Sequence, residues 1–160
     1  MTWTILIAVG AAILVAVAGG MLTEIGPWYR GLRKPRFQPP NWAFGPAWTV
    51  IFALAAAAGV LGWEAAPTGA ARAWVVALFV VNGGLNIGWS GLFFRLRRPD
   101  WALIEVGLLW LSILALILVL WPLSAGAAWC LAPYLAWVSF AALLNWRIVR
   151  LNRSFAEPTA

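Results

Sequence analysis

Long apolar runs separated by short polar or proline-rich segments dominate the pattern along this chain, and five of them stand out, at 3–22, 42–63, 73–94, 101–123 and 125–150. A bilayer-spanning helix needs about 20 mostly apolar residues. The pattern therefore predicts an all-α integral membrane protein, a single domain over 1–160 built as a bundle of five transmembrane helices with a long first loop at 23–41. The first run has no basic residue ahead of it and no convincing cleavage site behind it, so it is expected to be a retained helix and not a signal peptide. Pro122, Leu123, Ser124, Ala125 and Gly126 allow only a tight turn, which makes the last two helices antiparallel neighbours.

Composition agrees with the pattern: 64% of residues are hydrophobic and 10% charged, against roughly a quarter charged in soluble domains. The net charge of +6 could attract nucleic acid, but the basic residues sit in loops and at helix ends, where topology explains them, and nucleic acid is set aside. With five spans, one side of the membrane receives Arg30, Arg33, Lys34, Arg36, Arg95, Arg97, Arg98, Arg147, Arg150 and Arg153, and the other only Arg72. The positive-inside rule then puts the N-terminus outside and the C-terminus in the cytoplasm, most simply in a bacterial inner membrane, an outer membrane remaining open. Cys130 is alone, and histidine is absent. The commonest metal ligand and general base are thereby missing, so no metal site and no obligatory cofactor are expected.

Candidate chemistry is aromatic. Of the thirteen tryptophans, Trp3, Trp42, Trp63, Trp74, Trp101, Trp121, Trp129 and Trp146 lie near helix ends, where an interfacial belt explains them. Trp48, Trp89, Trp110 and Trp137 lie deeper, where helix packing or lipid contact is the plain reading. The first loop concentrates Trp28, Tyr29, Phe37, Gln38 and four prolines, including Pro40, among basic residues. Its prolines restrict the backbone, and it is expected to hold an extended shape and fold over the helix ends as a lid. On the third helix Asn82, Asn86, Trp89 and Phe93 share a face that should point inward. Gly84 and Gly88 lie nearly opposite, spaced for close helix approach in a homodimer or within the monomer. Trp48 and Phe52 on the second helix, with Tyr134 and Trp137 on the fifth, complete an apolar pocket with few polar groups. Such a site suits a flat macrocycle whose carboxylates meet Arg30, Arg33, Lys34 or Arg36, and without histidine a metal-free porphyrin fits better than haem. Glu105 either contacts a proton or ligand or, as expected here, snorkels to the surface and pairs with Arg95, Arg97 or Arg98.

Trp28-Tyr29, Leu32, Lys34-Pro35, Phe37, Pro39-Pro40, Phe44 and Trp48 resemble the first-loop signature of the translocator protein / tryptophan-rich sensory protein (TspO/MBR) family. Asn86, Trp89 and Phe93-Phe94, then Trp101-Ala102-Leu103 with Glu105, then Pro133-Tyr134, Trp137, Asn145 and Arg150-Leu151-Asn152 extend the resemblance over the chain. It implies a five-helix bundle, often dimeric, that binds porphyrins such as protoporphyrin IX, sterols or drug-like ligands under the first loop. Tyr29, Pro40, Trp48, Phe52, Asn86, Trp89 and Trp137 match the family's pocket residues. Trp48 and Trp137 match two tryptophans implicated in light-dependent porphyrin breakdown by some bacterial members, which makes such an enzyme the alternative to a binding protein. Leu144, Trp146 and Arg150 fall on the sterol-recognition pattern of animal members with Trp in place of its central Tyr, which argues against cholesterol.

Overall fold

A computed structural model describes residues 2–152 of the chain. Its helices are α1 (Thr2–Leu22), α2 (Pro27–Gly31), α3 (Phe44–Ala65), α4 (Gly69–Ser90), α5 (Pro99–Leu120) and α6 (Ala125–Leu151), with no strand among the described residues. A short 3-10 turn, Asn41–Ala43, leads into α3, and a π-helical turn, Gly91–Arg95, prolongs α4. Five stretches are long and apolar enough to cross a membrane: Thr2–Leu22, Asn41–Ala65, Gly69–Arg95, Pro99–Leu120 and Ala125–Leu151. Hydrocarbon offers no partner to a free backbone amide or carbonyl, so continuous helix is what such runs must form.

Helix ends follow local chemistry. Thr68 opens α4 by accepting from the Ala71 amide at 3.1 Å, and Ser124 opens α6 by accepting from Ala127 at 3.2 Å. The fourth apolar run was expected to be helical to 123, but α5 stops at Leu120. The Leu123 and Ser124 amides turn back onto the Leu120 carbonyl at 3.0 and 2.7 Å, while Pro122 has no amide to offer the ladder. Pro133 lies inside α6, which continues through it.

Within a bilayer, helices associate by close packing of small and complementary side chains more than by exclusion of water. Ala58, Ala102, Ala127 and Ala128 are accordingly buried at the contacts, around a core of Ile113, Leu116, Leu120, Leu131 and Val138. Gly62 on α3 makes room for Leu120, whose side chain occupies the space a Cβ there would need. As expected, α5 and α6 are adjacent, and theirs is the broadest contact in the bundle. By contrast α1 touches α3 and α4 and buries Gly19 alone among its residues, leaving Ile7, Leu14 and Met21 on an outer, lipid-facing surface.

The first loop departs from the extended shape expected of it. Pro27, pre-set for a helical first turn, starts the short helix α2, which carries Trp28 and Tyr29. Tyr29 and Leu32 are buried against Phe93, Phe94, Ala102 and Ile148, so the segment lies on the ends of α4, α5 and α6.

A candidate ligand cavity under the lid

Beneath this lid lies a cavity of about 770 Å³, walled by α1, α3, α4 and α6, with Val106 and Leu109 of α5 behind. Its surface is mostly apolar, and its volume falls within the usual few hundred to one thousand cubic ångströms of small-molecule sites. Val9 and Ile13 on α1, and Thr49 and Ala53 on α3, line it while also being exposed on the bundle surface.

Helical spacing and the π turn arrange the aromatic wall. On α3, Trp48 and Phe52 stack one turn apart, centroids 5.4 Å and planes 26°. On α4, Trp89 stacks on Phe93 at 5.1 Å and 27°. The extra residue held by the π turn lets Phe94 face inward too, 4.8 Å from Phe93. Trp137 of α6 meets Phe44 edge-on at 5.7 Å, and Phe37 of the lid approaches Phe140 at 6.4 Å. Tyr29 closes the upper end, 5.4 Å from Phe94, with the Lys34 ammonium 4.0 Å from its ring centre. Burial raises the Tyr29 pKa, only partly offset by the Gln38 amide, which donates to its hydroxyl at 3.0 Å; burial also pulls the Lys34 pKa down.

Polar groups are few and mostly matched. Asn86 donates to the Tyr134 hydroxyl at 2.9 Å, and Asn82 to the Ser112 hydroxyl at 2.9 Å, tying α4 to α6 and α5. The carboxamide of Asn145 donates to the Pro99 carbonyl and accepts from the Leu103 amide, both at 3.0 Å, in the orientation that satisfies both. Three buried atoms on cavity-lining residues have no partner: Oε1 of Gln38 and the indole Nε1 of Trp89 and Trp137. One acceptor and two donors beside an apolar space are what a ligand with a few polar edge groups could engage.

Of the residues singled out from sequence, Tyr29, Gln38, Trp48, Phe52, Asn86, Trp89, Phe93 and Trp137 line the cavity. Trp28, Pro40 and Tyr134 do not line it. Trp28 packs edge-on against Phe93 at 6.1 Å, Pro40 precedes the 3-10 turn, and Tyr134 is buried beneath Trp48 at 6.0 Å. Leu144 of the sterol-like pattern is buried at the cavity wall, but Trp146 faces outward with Arg147 and Arg150 over its ring at 5.4 and 4.9 Å, so the three form no common surface. Gly84 is open to the outside, whereas a Cβ on Gly88 would lie 4.0 Å from Glu105 within the monomer.

Glu105 corrects the expectation of a snorkelling ion pair. It is only 8% exposed, neither carboxylate oxygen has a partner, Arg98 is paired with Asp100 at 2.9 Å, and Arg95 lies 4.0 Å from Glu24. Those nearer acids take two of the three cations that were expected to reach it. Several lining positions were not assigned to the pocket from the sequence: Ala16 and Gly19 of α1, Thr23 and Ser90, together with Phe94 and Asn145, which entered only through the resemblance. Ser90 sits one turn beyond Asn86 on the inward face and could have been found by spacing. The α1 positions carry no comparable signal, because that helix is apolar all round.

The sequence profile of the TspO/MBR family matches residues 4–151, almost the whole described chain. This protein belongs to the TspO/MBR family. It is 37% identical to the tryptophan-rich protein TspO of Chlorobaculum tepidum, over 93% of this chain and 96% of that one. Against the tryptophan-rich protein TspO of Archaeoglobus fulgidus it is 38% identical over 89% and 92%, and against the human translocator protein 33% over 80% and 76%. TspO/MBR membership and five apolar spans together make the chain a multi-pass integral membrane protein. The lid, the aromatic wall and the Asn86–Tyr134 pair all fall inside the matched region.

Proposed function

We propose that this TspO/MBR protein is a membrane sensor or translocator that binds a metal-free porphyrin, such as protoporphyrin IX, or a related flat apolar molecule in the cavity under the lid. The observation that carries the reading is the pairing of stacked indole and phenyl rings, Trp48 on Phe52 and Trp89 on Phe93, on walls of one cavity of about 770 Å³. Flat rings offer stacking surface to a macrocycle, each such contact contributing about 1 kcal/mol beyond burial. The exposed Arg30, Arg33 and Arg36 on the lid can pair with carboxylates at the macrocycle's edge. Relatives named translocator protein, and the tryptophan-rich sensory protein of Cereibacter sphaeroides, 31% identical over this whole chain, support a sensor or translocator role.

A second reading, light-dependent oxidative breakdown of the porphyrin, is favoured by one observation: Trp48 and Trp137 both line the cavity. The test is a titration of detergent-solubilised protein with protoporphyrin IX, following tryptophan quenching and the porphyrin spectrum in darkness and in light. Saturable quenching with a stable spectrum is expected. Bleaching that disappears in Trp48→Phe and Trp137→Phe while binding persists would establish the second reading, and a failure to saturate would remove porphyrin altogether.

A further inference from the structure

Besides its apolar packing, the lid is fastened by hydrogen bonds at a point outside the cavity. Asn152, at the C-terminal end of α6, turns its carboxamide onto the main chain of Arg33: Oδ1 accepts from the Arg33 amide at 3.0 Å, and Nδ2 donates to the Arg33 carbonyl at 2.9 Å. The two residues are separated by 119 positions in sequence, so this is a tertiary contact and not a local turn. The same Nδ2 donates to the Ile148 carbonyl at 2.8 Å, and the Asn152 amide reaches Ile148 and Val149, which fixes the carboxamide relative to the helix that bears it. An unpaired backbone segment is thus held by a planar group that satisfies its donor and its acceptor together, as a neighbouring strand would.

What the clamp holds is the part of the lid that meets the cavity. Arg33 follows Leu32, buried in the cluster that holds Phe94 and Ile148, and precedes Lys34, whose ammonium lies over Tyr29. Tyr29 and Gln38, joined to each other through the phenol, are the lid residues that line the space below. The Arg33 side chain itself is exposed, so the interaction depends on backbone geometry and not on the residue's charge.

We propose that Asn152 is a positioning residue for the lid: its pairing with both backbone groups of Arg33 holds the 29–38 segment closed over the cavity and sets how fast ligand enters and leaves. Its use for a porphyrin rests on the function proposed above; the clamp itself does not. Losing two net hydrogen bonds that exist only in the closed lid should raise the open fraction about tenfold. Because the lid must open for both entry and exit, both rates rise together and the dissociation constant changes little. Asn152→Asp keeps an acceptor for the Arg33 amide but loses the donor for its carbonyl, and falls between.

Two measurements on the intact protein in detergent decide the matter. Hydrogen exchange resolved to the 29–38 segment should quicken about tenfold in Asn152→Ala, less in Asn152→Asp, with α4 and α5 unchanged. Stopped-flow mixing with protoporphyrin IX should show association and dissociation accelerating together. The proposal is overturned if exchange at 29–38 is unchanged, or if it rises equally through α4 and α5, which would make Asn152 a general support of the bundle. It is also overturned if affinity falls with the association rate unaltered. Should protoporphyrin IX fail to bind wild-type protein, the function above fails, while the exchange experiment still decides the clamp.

Discussion

Glu105 and Tyr29 make the sharpest statements about single side chains. A carboxyl group buried in a bilayer-spanning helix without a hydrogen-bond partner is costly. Glu105→Leu is therefore expected to stabilise the bundle, by about 1–3 kcal/mol, in thermal unfolding in detergent; a clear loss of stability would mean the carboxyl has a partner it needs. Tyr29 gives a pH dependence. Its pKa is raised above 10.0 mainly by burial, so the folded lid favours the neutral phenol. That contribution is complete below the ordinary tyrosine value and is lost as pH climbs through the raised one. A tyrosinate absorbance titration of wild type minus Tyr29→Phe should show this phenol ionising above 10.0, together with faster lid exchange. Residue types announced much of this scale: an amide at 86 and indoles at 48, 89 and 137 within spans can be read as inward groups. The fate of Glu105 could not be read, because which acid a surface arginine takes depends on distances in the folded bundle, as where Arg95 meets Glu24 across the chain.

Helix ends and helix contacts belong to a second scale, where Asn145 matters most. Only 1% exposed, it ties α6 to the first turn of α5 through the Pro99 carbonyl and the Leu103 amide. Asn145→Ala would remove both bonds between the helices, while the Pro99 carbonyl and the Leu103 amide, four residues apart in α5, keep each other as helix partners, so the expected cost is about 2 kcal/mol. Detergent unfolding should show that loss, and Asn145→Leu should fare no better, since volume alone does not replace the bonds. Five long elements were legible because 20-residue apolar runs permit little else. The short helix α2, the π turn at Gly91–Arg95 and the early end of α5 were not. The short ones gain their stability from packing Tyr29, Phe93 and Phe94 together, a tertiary reward that local propensity does not contain.

Across the whole molecule, charge asymmetry leads to a prediction of orientation. With ten of eleven basic residues on one side of the five spans, a cysteine placed at residue 2 in a Cys130→Ala background should react with an impermeant maleimide in intact cells. Labelling only after permeabilisation would reverse the assignment. Gly84, open on the outer face of α4, is the place to test a dimer: Gly84→Trp should convert a homodimer to monomers in light-scattering measurements in detergent, and leave a monomer unchanged. The number of spans, their order, the sidedness of charge and the kinship with TspO/MBR proteins were determined by sequence alone, since hydrocarbon demands self-satisfied helices and loops must carry the cations. Which face of α1 looks inward was decided only by the folded bundle. Lipid and protein interior are both apolar, so α1 presents the same kind of residue to each, and the choice of Ala16 and Gly19 for the cavity rests on how α1 leans against α3 and α4. The Asn152–Arg33 clamp was decided there too, because its partners are main-chain atoms, which every residue possesses and no sequence pattern singles out.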